Sequence, residues 1–342
     1  MIQVNCSVQF RATIAVVLGL SLIFGQASTR SETPSIKPAI EPVGDIHAHD
    51  PSMIHAGKFY YVFATGDEGG LSEGSVQIRR SSDMRNWEFS GTLFETMPTW
   101  ITKEIGKVPN LWAPDVSYAN GKYLVYYAAS HFGTNESVIG LATNTTLDPN
   151  NPKYKWLDEG MVLRSRVGTD NWNAIDPNRI VDTKGQAWLA FGSYWDGIKM
   201  RRLDAKTGKP SSQDRRLYPL ASRNGGAIEA PSILFHGGYY YLFVSFDTCC
   251  KGADSTYKIM IGRSREITGP YLEKDGWPML AGGGNLLLEG HDRVRGPGGQ
   301  TVFLDGKMSR IIYHYYDAEV RGEVKFALGT LEWNETGWPS LH

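Results

Sequence analysis

The sequence predicts an all-β fold, a five-bladed β-propeller with four-stranded antiparallel blades, on three observations. A Pro-then-Gly signature returns five times, each return opens a set of short alternating strands, and no helix-period pattern of useful length follows the N-terminal segment. In the first unit His49-Asp50-Pro51 leads to Gly57 and the aromatic run Phe59-Tyr-Tyr-Val-Phe63. The second runs from Trp112-Ala113-Pro114 to Gly121 and Tyr123-Leu-Val-Tyr-Tyr127. The third runs from Ile175-Asp176-Pro177 to Gly185 and Trp188-Leu-Ala-Phe191, the fourth from Glu229-Ala230-Pro231 to Gly237 and Tyr239-Tyr-Tyr-Leu-Phe243. A weaker fifth joins Gly296-Pro297 to Gly306 and Ile311-Ile-Tyr313. The prolines stand at 51, 114, 177, 231 and 297, so the spacings are 63, 63, 54 and 66. Each aromatic run is followed by an alternating segment such as Val76–Arg80, Val138–Ala142 or Ile198–Arg202, then by a polar turn. A β-sandwich does not explain that regular return, and the units are too long and divergent for WD40 repeats.

Composition narrows the classes of function. The 342 residues carry 35 Lys+Arg against 36 Asp+Glu, for a formal net charge of −1, and 41% are hydrophobic, which excludes a disordered chain. Basic residues occur in short, scattered pairs, which speaks against nucleic acid as a partner. Ten Trp and seventeen Tyr exceed what a plain core needs and suit flat polar ligands such as sugars. Residues 1–27 read as a secretory signal: Arg11 precedes an apolar run over 12–24, and Gly25-Gln26-Ala27 supplies small residues at a cleavage site. That run is short for a bilayer span, so a secreted, extracellular protein without a membrane partner is expected. Residues 28–43 read as a loose leader, and 44–342 as one domain. The mature chain would have about 315 residues and a net charge near −2. Cys6 leaves with the signal. Cys249 and Cys250 are adjacent, and the sequence leaves a vicinal bridge and two buried thiols equally open. Asn135, Asn144 and Asn334 head glycosylation sequons.

The repeats bear on chemistry through their acids. The innermost strand of a propeller blade lines the central channel, so residues beside each repeated proline gather at one mouth. Asp50, Asp176 and Glu229 stand there, and Asp115 less clearly, because it follows its proline. Glycoside hydrolysis needs one acid to protonate the leaving oxygen and one base to activate water. The competing reading is turn chemistry, since Asp before Pro commonly starts a turn.

The chain resembles glycoside hydrolase family 43, and within it the endo-1,5-α-L-arabinanases. The segments that carry the resemblance are Gly44-Asp-Ile-His-Ala-His-Asp50-Pro-Ser52, Leu111-Trp-Ala-Pro-Asp115, Ser130-His-Phe-Gly-Thr-Asn135, Asn173-Ala-Ile-Asp176-Pro177, Gly192-Ser-Tyr-Trp195, Ala227-Ile-Glu229-Ala-Pro231 and Ser245-Phe-Asp-Thr-Cys-Cys250. The resemblance implies a five-bladed propeller and an inverting mechanism. It makes Asp50 the general base, Glu229 the general acid and Asp176 the residue that orients the acid and keeps its pKa raised. Inversion implies about 6.5–9.5 Å between the carboxyl groups of Asp50 and Glu229.

Substrate contacts follow by the same route. Trp112 and Phe132 resemble aromatic platforms beside the reacting sugar. Gly133 and Asn135 fall in a loop that approaches it closely. Asn173, Ala174, Ile175, Ser193, Tyr194 and Trp195 resemble groove residues that hold the arabinose ring, together with Asp50 and Asp176. Many members have Gly-Pro-Gly-His in the fifth blade, where the His helps hold a channel calcium or water cluster. Here Gly299 replaces that His and Gln300 follows, so no metal or other cofactor is expected to be required. His47 and His49 read as hydrogen-bonding neighbours, and His314 as structural.

The expectation is a monomeric enzyme cutting internal α-1,5 links of arabinan, the side chains of plant-wall pectin. An exo-acting arabinofuranosidase or β-xylosidase of the same family is the alternative within catalysis. A carbohydrate-binding propeller without activity is the alternative from another class.

Overall fold

The computed structural model describes residues 40–342 except residue 68; the signal assigned to 1–27 and most of the leader lie outside them. Five antiparallel sheets follow one another along the chain, each built by consecutive strands. The innermost strands are Ser52–Ala56, Trp112–Ala119, Asn178–Val181, Ile228–His236 and Val294–Asp305, and each opens just after, or contains, a repeated proline. Three more strands follow in each blade, and the first blade gains a fifth, Val43–Gly44, which pairs in parallel with Asn86–Thr92. The end of the expected leader is therefore not loose: Ile40 bridges to Leu328 of the fifth blade, and Val43 pairs with Asn86. One short helix, Thr99–Ile105, buries Ile101 and Ile105 one turn apart on its inner face.

The second strand of each blade explains how the sheets stack. Its side chains alternate between faces, and both faces are apolar because each blade is covered on both sides. Tyr61 and Phe63 pack toward the second blade, while Val62 and Ala64 pack toward the fifth. In the second blade Val125 and Tyr127 turn back to the first, and Leu124 and Tyr126 face the third. Trp188 and Ala190 meet the fourth blade, and Tyr241 and Phe243 meet the fifth. Ile312, Phe326 and Leu328 close the ring against Met53 and Val62. Five apolar interfaces thus join five blades.

The hub is tied by buried polar side chains that follow the prolines. Ser52 Oγ accepts the Val116 N–H at 3.0 Å, Asp115 Oδ2 accepts the Arg179 N–H at 2.8 Å, and Asn178 Oδ1 accepts the Ile233 N–H at 3.0 Å. Ser232 Oγ continues the series by accepting the Val302 N–H at 3.0 Å. Four blade-to-blade steps are joined in this way. Among the described residues no helix is long and apolar enough to cross a membrane.

Candidate active site

The residue before each repeated proline has a left-handed backbone: Asp50 at φ 51°, Ala113 at 41°, Asp176 at 56°, Ala230 at 52° and Gly296 at 52°. Such a conformation is costly for a residue with a side chain, and proline restricts its predecessor further. Its fivefold return shows a built turn at the mouth of the hub. The inner ladders are broken there, between Trp112 and Asp115, Glu229 and Ser232, and Arg295 and Gly298. The turn throws Asp50 and Asp176 into the mouth. Glu229 arrives from one position earlier in its unit, at the place of His49 and Trp112. Asp115, one position after its proline, points sideways into the second–third blade interface instead. It accepts the Asn178 Nδ2 and Arg179 N–H groups, and burial pushes its carboxyl up to about 7.

Asp50, Asp176 and Glu229 line one groove of about 830 Å³ across this face. Their protonation diverges. Burial alone would raise the Asp50 carboxyl, but His49, His314 and the Thr65 hydroxyl outweigh it and hold it down at about 2. Asp50 Oδ2 lies 2.7 Å from His49 Nδ1 and accepts the Thr65 hydroxyl at 2.7 Å. Glu229 is pushed up to about 7, mainly by burial and then by the negative Asp50, although Ser193 Oγ donates to its Oε2 at 2.6 Å. Asp176 is also held well above the usual carboxylate range by burial, Glu229 and Asp50, and it accepts the Ala230 N–H at 3.0 Å. Near neutrality the Asp176–Glu229 pair retains a proton while Asp50 is ionised. The groove thus offers a base and an acid together. Burial, Asp50 and the mutual repulsion of Asp176 and Glu229 together keep that proton on the pair.

The other expected residues divide. Trp112, Phe132, Gly133, Asn173, Ile175, Ser193, Tyr194 and Trp195 line the same groove. Trp112 is fixed by its Nε1–H donating to Asn110 Oδ1 at 2.8 Å, whereas Phe132 stands 83% exposed at the rim. Tyr194 and Trp195 have consecutive positive φ angles, and the Tyr194 N–H donates to the Ile228 carbonyl, which pins their loop. Asn135 and Ala174 do not reach the groove. Asn135 is buried with its Nδ2 donating to the Asp170 and Trp172 carbonyls, so it braces the loop and is closed to glycosylation. Ala174 is packed between the second and third blades, because its neighbours Asn173 and Ile175 take the groove side. Asn144 is also buried, while Asn334 is exposed.

Thr65 escapes the sequence reading, which gives His314 a structural place and leaves the state of Cys249 and Cys250 open. Thr65 holds Asp50 and also accepts the Ala113 N–H at 2.9 Å. His314 is not merely structural: its ring stacks on His49 with centroids 3.8 Å apart, and its Nδ1 accepts the Asp50 N–H at 3.1 Å. Cys249 and Cys250 form a vicinal disulfide in the groove wall. His49, in turn, sits on Asp50, while His47 meets Glu323.

Among the described residues two clusters have the spacing of metal ligands, His49 with Cys249 and Cys250, and His49 with Asp50 and His314. In the first the sulfurs are spent on each other, and a disulfide offers no thiolate. In the second both His49 nitrogens face partners, Asp50 and Tyr316. His314 Nε2, in this cluster, is buried without a partner. Gly299 explains why no histidine stands at its position: at φ 55° a Cβ would lie 2.5 Å from Asp50 Oδ1 and 2.6 Å from the His314 ring.

A five-bladed propeller that collects an ionised and a protonated carboxyl in one sugar-sized groove has the layout of a glycoside hydrolase. The description "Glycosyl hydrolases family 43" matches residues 40–339. An extracellular endo-α-(1→5)-L-arabinanase of Bacillus subtilis is 46% identical, over 85% of this chain and 87% of its own. An extracellular exo-α-(1→5)-L-arabinofuranosidase of Cellvibrio japonicus is 39% identical, over 86% of each chain. The solved α-L-arabinanase of Cellvibrio cellulosa, complexed with arabinohexaose, aligns with a TM-score of 0.82 at 38% identity, over 87% of this chain and 96% of that one. The chain belongs to glycosyl hydrolase family 43.

Proposed function

We propose that the protein is an extracellular, inverting, endo-acting arabinanase that cuts α-1,5-L-arabinofuranosidic bonds of the arabinan side chains of pectin. The observation that carries this reading is the opposed titration of Asp50 and Glu229 in one groove, beside a 46% identical endo-arabinanase. Asp50 takes a proton from the attacking water. Glu229 gives its proton to the leaving glycosidic oxygen on the opposite face of the ring. Asp176, accepting the Ala230 N–H beside Glu229, holds the strand that carries the acid. Trp112 and Phe132 stack on arabinose units, and Ser193, Asn173 and Trp195 fix the ring over the acids. A binding module would need no such pair of opposed carboxyls.

The chain acts as a monomer and needs no resident cofactor for these proton transfers. Waters of a hub cluster, or of a hydrated calcium ion, would accept from His314 Nε2–H, the orphaned donor there, because the Nδ1 lone pair meets the Asp50 N–H. A calcium ion would add positive charge behind Asp50.

Exo action is the second reading, supported by the 39% identical exo-acting relative. Product sizes from debranched arabinan over time separate the two. Mid-length oligosaccharides appearing first support endo cleavage; release of small products alone from the outset overturns it. Glu229→Gln is expected to abolish turnover while sparing binding, and unchanged turnover would remove Glu229 as the acid.

A further inference from the structure

Asp50 is held from behind by a chain of hydrogen bonds that begins at the disulfide. The Cys250 N–H donates to Tyr316 Oη at 3.0 Å, Tyr316 Oη lies 2.7 Å from His49 Nε2, and His49 Nδ1 lies 2.7 Å from Asp50 Oδ2. The first link has only one direction, because an amide donates. It takes up acceptor capacity of the phenol oxygen and so favours the phenol proton pointing to His49 Nε2. A neutral imidazole that accepts at Nε2 carries its proton at Nδ1, and the protonated ring, which Asp50 favours and burial opposes, also presents Nδ1–H to the carboxylate. The last link then donates into the carboxylate. His49 and Thr65 both meet Oδ2, while Oδ1 lies 3.5 Å from His314 Nδ1. The disulfide sets the origin of the chain. Cys250 has φ 66°, unfavourable for a residue with a side chain, and the ring closed with Cys249 restrains that peptide with its amide toward Tyr316.

We infer that Tyr316 and His49 are positioning residues for Asp50, and that the Cys249–Cys250 bridge anchors the relay they form. The inference rests on the reading of Asp50 as the base. Oxidation of two adjacent cysteines on a groove wall thereby acquires a role in turnover as well as in shape.

The experiment measures kcat and KM on debranched arabinan for Tyr316→Phe, His49→Asn and the double variant. Tyr316→Phe removes the donor to Nε2 and frees His49 to take the other tautomer, whose Nδ1 lone pair faces the carboxylate. The expected result is a fall in kcat of roughly tenfold or more with little change in KM. In the His49→Asn background the same change has little further effect, because an Asn amide donates to Asp50 with no tautomer to choose. Cys249→Ser with Cys250→Ser lowers kcat in the same way, and adds nothing to Tyr316→Phe. A wild-type kcat for folded Tyr316→Phe, or equal losses in both His49 backgrounds, overturns the inference. If Tyr316→Phe does not fold, the ¹⁵N shifts of His49 in the wild-type protein decide: a protonated Nδ1 with a bare Nε2 supports the relay, and the reverse, or a ring protonated at both nitrogens at the pH of assay, overturns it. Asp50→Asn separates the two layers. Retained turnover there removes the base assignment itself, whereas an inactive Asp50→Asn beside a fully active Tyr316→Phe removes the relay alone.

Discussion

Ser193 Oγ donates to Glu229 Oε2 at 2.6 Å, and so favours the ionised form of the group whose protonated form is needed. Burial and Asp50 outweigh that donation and leave Glu229 at about 7. Ser193→Ala removes the opposing bond, and the Glu229 pKa rises further. Catalysis by Glu229 as an acid is lost as pH rises through its pKa. In the wild-type protein kcat/KM is therefore expected to fall above about pH 7, and in Ser193→Ala that limb moves to higher pH. The opposite limb belongs to Asp50, held at about 2, so activity persists well into acid. The pH dependence of kcat/KM for both proteins checks this; an unmoved basic limb contradicts it.

The same shift has a thermodynamic consequence. Glu229 titrates near the ordinary glutamate value of 4.5 when unfolded and at about 7 when folded. Between those values the folded protein binds the extra proton, so stability falls as pH rises. Asp176, also raised, adds to the same slope. Glu229→Gln removes its share. Its melting temperature relative to wild type is expected to climb from pH 4.5 to pH 7 and then level off, as read by differential scanning calorimetry.

Phe132 is 83% exposed, so its truncation costs no packing. Its proposed role is contact with sugar. Phe132→Ala is expected to leave the melting temperature and kcat near wild type and to raise KM for linear arabinan by roughly twofold to tenfold. A fall in kcat at constant KM would place Phe132 in another role.

Asp115 shares the chemistry of the active-site acids but lies within a blade interface. It accepts two buried donors, from Asn178 and Arg179. Asp115→Ala orphans both and is expected to cost about 2–4 kcal/mol of stability. Activity per folded molecule stays close to wild type at low temperature. Denaturant unfolding together with kcat measures the two effects separately.

How much of this was legible depended on whether a residue belongs to the repeat. The repeated prolines mark five turns of one kind, and Asp50, Asp176 and Glu229 are readable because they flank them. Even there, register decided the outcome. One step along the chain separates Glu229, in the groove, from Ala230 in the turn, and Asp115 falls on the wrong side of its proline. Asn135 and Ala174 lie within the resembling segments, yet neighbours along extended chain face opposite ways, and motif membership carries no direction. His314 and Tyr316 were illegible for another reason. They reach Asp50 and His49 from the fifth blade, 264 and 267 residues along the chain, and only ring closure brings them there.

The central claim is that Asp50 and Glu229 act from opposite faces of one sugar ring. The most direct test is the anomeric configuration of the first product, followed by ¹H NMR from the moment enzyme meets debranched arabinan. Newly formed reducing ends are expected to appear first as the β-anomer, inverted from the α-linkage. First appearance of the α-anomer would mean that a carboxylate attacks the sugar directly, and would contradict the claim.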